Sequence, residues 1–212
     1  MRAIINPTAG FRSAPLGWPD IKRMVHDVTH DVVYTESQGH ATSLAAEAVA
    51  SGVEGIIVVG GDGTVNEVIQ SVAGKDVIIA PIMAGTGSDF MRSLGSPGAP
   101  EVVSALTSGI FTKIDSAIIE SNTFKRRFIN IMEVGFGAEV MRYVNSHRRN
   151  RFSFYAGILG SIWKLTSYEI ELLYNGLHDD AEAIEIVVAN GRYFGGGMLA
   201  SPASSLTDGK LD

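Results

Sequence analysis

Three glycines, an aspartate and a threonine stand together where an apolar run stops. IIVV at 56–59 is followed at once by Gly60, Gly61, Asp62, Gly63 and Thr64, and then by Val65, Asn66 and Glu67 at the start of a helical pattern. Glycines let the backbone approach an anion closely, and a helix start adds unpaired N–H groups and the positive end of the helix dipole. The natural ligand of such a turn is phosphate. A Walker A loop would need a Gly-Lys-Ser/Thr ending, and the dinucleotide fingerprint would need a third glycine where Asn66 stands, so neither template fits. Asp62 is then the informative residue. A carboxylate beside phosphates repels them unless it acts through a metal, a water or a proton transfer. The arrangement points to phosphoryl transfer, in which Mg²⁺ commonly bridges carboxylate and phosphate oxygens. The plainer alternative is that Asp62 only caps a helix beginning near Thr64.

A second glycine loop, PIMAGTGSDFMR, follows the next apolar run and carries Gly85, Thr86, Gly87 and Asp89. A βαβ repeat would bring it to the same sheet end as the first loop, so that both face one cleft. By itself it could equally be a turn in which Ser88 or Asp89 caps a helix. With no cysteine among the 212 residues, disulfides and thiolate chemistry are excluded, and of the five histidines only His40 sits in a notable segment and the others lack metal-ligand spacing, which argues against a zinc site.

The elements that must position these loops are short β-branched runs alternating with amphipathic stretches over residues 1–112. Strands are expected at 3–5, 31–35, 55–59 and 77–81, and helices at 20–28, 41–50, 64–73 and 100–108, which predicts a parallel sheet covered by helices on both faces. IIVV and VIIA are continuously apolar and are read as central strands. From 113 to 212 the rhythm changes to a β-rich domain. KIDSAIIES and RRFINIMEV, with SNTFK between them, read as a hairpin; helical stretches follow at 138–146 and 152–165, then YEIELLY and AEAIEIVVAN as a strand pair. So few strands would leave an edge unpaired, so the natural chain is expected to continue past Asp212. A composition of 45% hydrophobic and 19% charged residues predicts an ordered protein, and a net charge of -6 offers no bulk attraction to nucleic acid. No apolar run reaches transmembrane length and no signal peptide is evident, so a cytoplasmic location is the default. Pairing of two copies into a homodimer through sheet edges is compatible with the pattern, which does not decide it.

Four segments in order, NPTAG at 6–10, TESQGHA at 35–41, GGDGTVNEV at 60–68 and GTGSDFMR at 85–92, resemble the diacylglycerol kinase catalytic family, which includes bacterial soluble lipid kinases and sphingosine and ceramide kinases. GGDGT alone is shared with NAD kinases and in part with phosphofructokinases; the order and spacing of all four discriminate. IDS at 114–116, NIMEVGFGAEV at 130–140 and NGRYFGGGMLASPASSLTDGKLD at 190–212 also look like the family. The resemblance implies an α/β nucleotide-binding domain followed by part of a β-sandwich domain. It implies ATP with Mg²⁺, and transfer of the γ-phosphoryl group to a lipid hydroxyl such as that of diacylglycerol, at a membrane surface. Matching positions imply that Asn6 and Thr35 contact the nucleotide, that Gly60, Gly61, Asp62, Gly63, Thr64, Asn66 and Glu67 hold its phosphates, and that Thr86 sits nearby. Asp62, Asp89 and Asp115 match acidic positions needed for activity or its metal and water network.

The chain departs from the family pattern in three places. Ser88 replaces the usual Asn and keeps capping ability. Ser205 stands where some bacterial members have an acid that helps hold a structural Mg²⁺, leaving Asp208 as the one candidate ligand there. The Asp-Gly-Glu segment that supplies the general base would lie beyond Asp212. Two further signals have bland alternatives. The basic cluster His147, Arg148, Arg149, Asn150 and Arg151 before FSFYAGILGSIWKL reads as membrane docking or as a solvated helix end. Gly195, Gly196 and Gly197 read as a close-approach loop or as a turn. The rival functions are an NAD kinase-like phosphotransferase and a non-catalytic nucleotide- or lipid-binding protein.

Overall fold

The computed structural model of the chain describes residues 1–10, 17–84, 88–136 and 166–212. Four strands, β1 (Arg2–Ile5), β2 (Val32–Tyr34), β3 (Gly55–Gly60) and β4 (Ile78–Met83), form a parallel sheet in the order β2-β1-β3-β4. Helices α1 (Trp18–Val28), α2 (His40–Ala50) and α3 (Asp62–Val72) connect them, and α4 (Asp89–Ser93) and α5 (Ala99–Thr107) follow β4. The mixed architecture expected from the sequence, a parallel α/β half followed by antiparallel strands, is the observed one.

Alternation along β3 explains the two-faced burial. Ile56 and Val58 pack with Ile4 against Leu44, Ala45 and Ala48 of α2 and Val65, Val68 and Val72 of α3. Ile57 and Val59 pack with Ala3, Ile5 and Ile82 against Ile21 and Val25 of α1, with Val102, Val103 and Leu106 of α5 closing the layer. Period-2 alternation in a strand apolar on both faces therefore builds two helix layers. Each fully buried Val or Ile stabilises the fold by roughly 1.5–3 kcal/mol. One expectation needs correction: VIIA does not form a central strand, because β4 is the end strand of this sheet. Pro81, paired with Val58, has no N–H to donate to a neighbouring strand, and an edge strand accommodates it.

The chain divides into two compact units, Met1–Ile131 with Ala189–Asp212, and Met132–Val188. In the first, β5 (Ala117–Glu120) and β6 (Lys125–Phe128) make the antiparallel hairpin, shorter than KIDSAIIES and RRFINIMEV suggest. Before β5 the Asp115 N–H donates to the Leu206 carbonyl instead of a sheet neighbour, and after β6 the Asn130 carbonyl accepts from both Asn190 and Gly191. β11 (Tyr193–Phe194) and β12 (Met198–Leu199) form a small hairpin in the same unit.

In the second unit, β7 (Ile131–Gly135) pairs with β10 (Glu185–Ala189), and β8 (Tyr168–Tyr174) pairs with β9 (Leu177–Ala183). AEAIEIVVAN is therefore not the single partner of YEIELLY. The partner begins at Leu177, because Asn175 and Gly176 both take positive φ, 50° and 77°, and close a two-residue hairpin turn. The expected helices at 138–146 and 152–165 and the basic cluster at 147–151 lie outside the described residues. Among the described residues, no helix is long and apolar enough to cross a membrane.

Candidate active site

Parallel register carries the matched segments to one edge of the sheet. Asn6 follows β1, Thr35 follows β2 and Gly61 follows β3, while Ser88 lies five residues past the end of β4. The Asn6 N–H donates to the Val59 carbonyl over 2.8 Å and the Thr35 N–H to the Ile5 carbonyl over 2.9 Å. Asn6 Nδ2 donates to Thr64 Oγ1 over 3.0 Å, and Asn6 Oδ1 accepts from the Thr8 N–H and hydroxyl. Asn6 thus braces the first turn of α3 from the neighbouring loop.

The four-residue loop expected between β3 and its helix contracts to Gly61 alone. α3 begins at Asp62, not Thr64, because the Gly61 carbonyl accepts from both Thr64 and Val65. The glycines have different causes. A Cβ on Gly60 would lie 2.5 Å from Thr64 Oγ1, so packing alone demands glycine there. A Cβ on Gly61 or Gly63 would meet nothing within 4 Å, and Gly61 has an ordinary φ of -105°. Their bareness serves no contact within the protein; it leaves the first-turn N–H groups of α3 open to a ligand.

Asp62 is not the cap of its helix. The N-cap is Gly61, and no side chain caps it. The carboxylate instead reaches the second loop: Ser88 Oγ donates to Asp62 Oδ1 and the Asp89 N–H donates to Asp62 Oδ2, each over 2.8 Å. Burial raises the Asp62 pKa above its ordinary value, with the Asp89 charge adding to the rise, while the hydrogen bonds from Ser88 and from the Asp89 and Phe90 backbone oppose it. Ser88 also accepts from the Met91 N–H over 3.0 Å and so caps α4, a helix too short to announce itself by periodicity.

Asp89 is buried and doubly held. Its Oδ1 lies 3.1 Å from Arg92 Nη1, and its Oδ2 accepts from the Gly196 N–H over 2.8 Å. Gly195, Gly196 and Gly197 all take positive φ and turn the chain between β11 and β12, which puts Gly196 against Asp89 and Gly197 against the Arg92 guanidinium. NGRYFGGG thereby closes on Asp89 and Arg92 of α4.

Other expected residues are placed differently. Glu67 Oε1 and Oε2 accept from the Gly39 and Ala41 N–H groups, so its carboxylate is spent on the start of α2. Asn66 is half-buried in α3, and its carbonyl accepts from Gln70. Thr86 lies outside the described residues. Asp115 Oδ2 accepts from the Gly209 N–H over 2.7 Å, and Asp208 Oδ1 accepts from the Lys210 N–H, which brings this pair together through backbone turns. Among the described residues, no group of three or more His, Asp or Glu gathers into a metal cage.

Sequence reasoning passed over Gln70, Ser93, Asn130 and Asn190. Gln70 holds both the N–H and the carbonyl of Arg127 with its side-chain amide, which docks β6 on α3. Ser93, Asn130 and Asn190 stitch NGRYFGGG to α4. Their signal was present only as unexplained polar residues in segments otherwise apolar.

Residues 1–119 match the diacylglycerol kinase catalytic domain. The chain belongs to that family. Residues 130–212 match the YegS C-terminal NAD kinase beta sandwich-like domain. A protein named "Diacylglycerol kinase" from Mycobacterium tuberculosis is 30% identical over 218 residues, covering 99% of this chain and 71% of that one. A protein named "Probable lipid kinase YegS-like" from Pseudomonas putida is 29% identical over 187 residues, covering 86% of this chain and 62% of that one. A crystal structure of a diacylglycerol kinase from Bacillus anthracis shares 25% identity at a TM-score of 0.69, covering 99% of this chain and 71% of that one. The geometry suits a diacylglycerol kinase family member: open amides at a helix start, and beside them a half-buried carboxylate fixed by a second loop.

Proposed function

We propose that the protein transfers the γ-phosphoryl group of ATP to the hydroxyl of a lipid, with residues 1–112 holding the nucleotide and residues 113–212 contributing to the acceptor site. The observation that carries this reading is the pairing of bare Gly61 and Gly63 with Asp62, whose two oxygens are both oriented by Ser88 and Asp89. A new P–O bond forms to the lipid oxygen, the bond to the β-phosphate oxygen breaks, ADP leaves, and the hydroxyl proton passes to a carboxylate or to solvent. Positioning and charge neutralisation supply the catalysis in such a transfer.

The backbone N–H groups of Asp62 and Gly63 suit the phosphates, and Asn6 and Thr35 stand at the same edge for the rest of the nucleotide. Glu67 acts indirectly, by fixing α2 against α3. Mg²⁺ needs only one or two protein carboxylates when it arrives on a triphosphate. Burial raises the Asp62 pKa first and the Asp89 charge adds to the rise, a repulsion that a cation would relieve. Asp62 would hold it directly or through water, and the cation would neutralise the phosphates. Asp208, turned to its own backbone, would serve a cation only secondarily.

The test is transfer from labelled ATP by the full-length protein with Mg²⁺, offering 1,2-dioctanoylglycerol and NAD in separate reactions. Label in the lipid supports the proposal; label in NAD and none in lipid overturns it.

A further inference from the structure

Residues 35–39, between β2 and α2, lie at the same sheet edge as Gly61 but offer a ligand the opposite chemistry. At Gly61 the helix-start N–H groups stand open. Here the backbone donors are already bonded: Thr35 to the Ile5 carbonyl, Gly39 and Ala41 to the two Glu67 oxygens, and His40 to the Ser37 carbonyl. The Glu36 N–H donates to His40 Nδ1 over 3.1 Å. A loop whose amides are bonded in this way is a poor seat for phosphate. What it offers to solvent is an acceptor, on the exposed Glu36.

His40 accounts for the position of Glu36. Because Nδ1 accepts the Glu36 N–H, the neutral ring carries its proton on Nε2. His40 is half-buried at the first position of α2, and Glu67 of α3 holds the amides on either side of it. Gly39, at a φ of 85°, supplies the left-handed step before the helix from which the ring folds back over the loop. The Glu36 backbone is thus tied, through His40 and Glu67, to the helix whose first turn begins beside Gly61.

Strand order sets the span between the two sites. β3, β1 and β2 are successive neighbours, so the end of β2 stands two strand spacings, about 10 Å, from the end of β3. A ligand with its phosphates at the start of α3, lying across the ends of β1 and β2, passes Asn6 and brings its next polar group to Glu36. In dinucleotide-binding sheets an acid beyond the neighbouring strand receives the ribose hydroxyls. The chemistry here is the same: a carboxylate accepts two O–H groups, and the vicinal diol of a ribose donates two.

We propose that Glu36 seats the ribose hydroxyls of the donor nucleotide and that His40 is its positioning residue. The inference rests on the nucleotide reading and adds which part of the donor is selected. The test is isothermal titration calorimetry on the full-length protein with Mg²⁺, comparing ATP, 2′-deoxy-ATP and tripolyphosphate. Wild type is expected to bind ATP about tenfold more tightly than 2′-deoxy-ATP, corresponding to about 1.4 kcal/mol. The preference should fall below about twofold in Glu36→Ala and His40→Leu and persist in His40→Asn, whose side-chain oxygen can take the place of Nδ1. Tripolyphosphate, which has no ribose, should bind all four proteins alike. Equal binding of both nucleotides to wild type, or an unchanged preference in Glu36→Ala, overturns the proposal and leaves the phosphate seat at Gly61 standing. A preference retained in His40→Leu overturns the role given to His40. No binding of ATP overturns the nucleotide reading together with this inference.

Discussion

Ser88 Oγ donates to Asp62 Oδ1 over 2.8 Å while accepting from the Met91 N–H, so one hydroxyl both starts a helix and aims a carboxylate on a different helix. The two glycine-rich segments are for that reason a single device, and a change in one is felt in the other.

Removing the charge at Asp62 should abolish most transfer. Asp62→Asn is expected to lower kcat by at least about 100-fold, the scale on which a preorganised polar group acts in a transition state. ATP affinity, carried by backbone amides, should change little. Steady-state kinetics beside ATP titration calorimetry separates the two, and near wild-type kcat would remove Asp62 from the mechanism.

Ser88 should be graded by what replaces it. Ser88→Ala deletes a donor to a largely buried carboxylate and a helix cap, contributions of about 1–3 kcal/mol and about 1 kcal/mol, the first reduced by the partial exposure of Asp62. Thermal unfolding should move down and kcat should fall. Ser88→Asn keeps an amide donor and an acceptor and should recover most of both, which a mere space-filling role for Ser88 would not produce.

Gly60 and Gly61 make a controlled comparison. Gly60→Ala sets a methyl 2.5 Å from Thr64 Oγ1 and should destabilise by about 1–3 kcal/mol through overpacking. Gly61→Ala meets no protein atom and should leave unfolding within about 0.5 kcal/mol of wild type, yet weaken ATP about tenfold. Equal ATP affinity in Gly61→Ala and wild type would contradict a phosphate seat at this turn.

Asp62 should also leave a pH signature on stability. Burial raises its folded pKa above the ordinary 3.8, so over that span the folded protein keeps a proton that the unfolded chain has released. The associated stabilisation is fully present below 3.8 and is lost as pH rises through the folded value. Urea unfolding of wild type and Asp62→Asn should therefore show wild type gaining relative to the variant as pH is lowered towards 3.8. A difference independent of pH would place Asp62 in a more solvated setting.

The sheet and its loops were legible because β3 is apolar at every position and because parallel connectivity forces Asn6, Thr35 and Gly61 to one edge. The ends of elements were not. α3 starts two residues early because the Gly61 carbonyl can accept twice, a property of geometry and not of composition. α4 entered only as a helix that Ser88 or Asp89 could cap, since five residues carry no period. The strands after residue 112 were misjudged where Asn130, Asn175 and Gly176 break the chain, since single polar or glycine residues inside apolar runs do not reveal which carbonyl or turn they serve. Glu67 was read as a phosphate neighbour because it lies in GGDGTVNEV, although it points to a helix met 28 residues earlier.

That last contact makes the cleft selective by self-occupation. Three helix starts follow β2, β3 and β4 at this edge, and each is a natural anion seat. Glu67 already sits on the start of α2, and Asp62 with Ser88 already sits on the start of α4. The protein has in effect filled both of those starts with its own oxygens. On the proposed nucleotide reading, the start of α3 at Gly61 is the one of these three left for a phosphate.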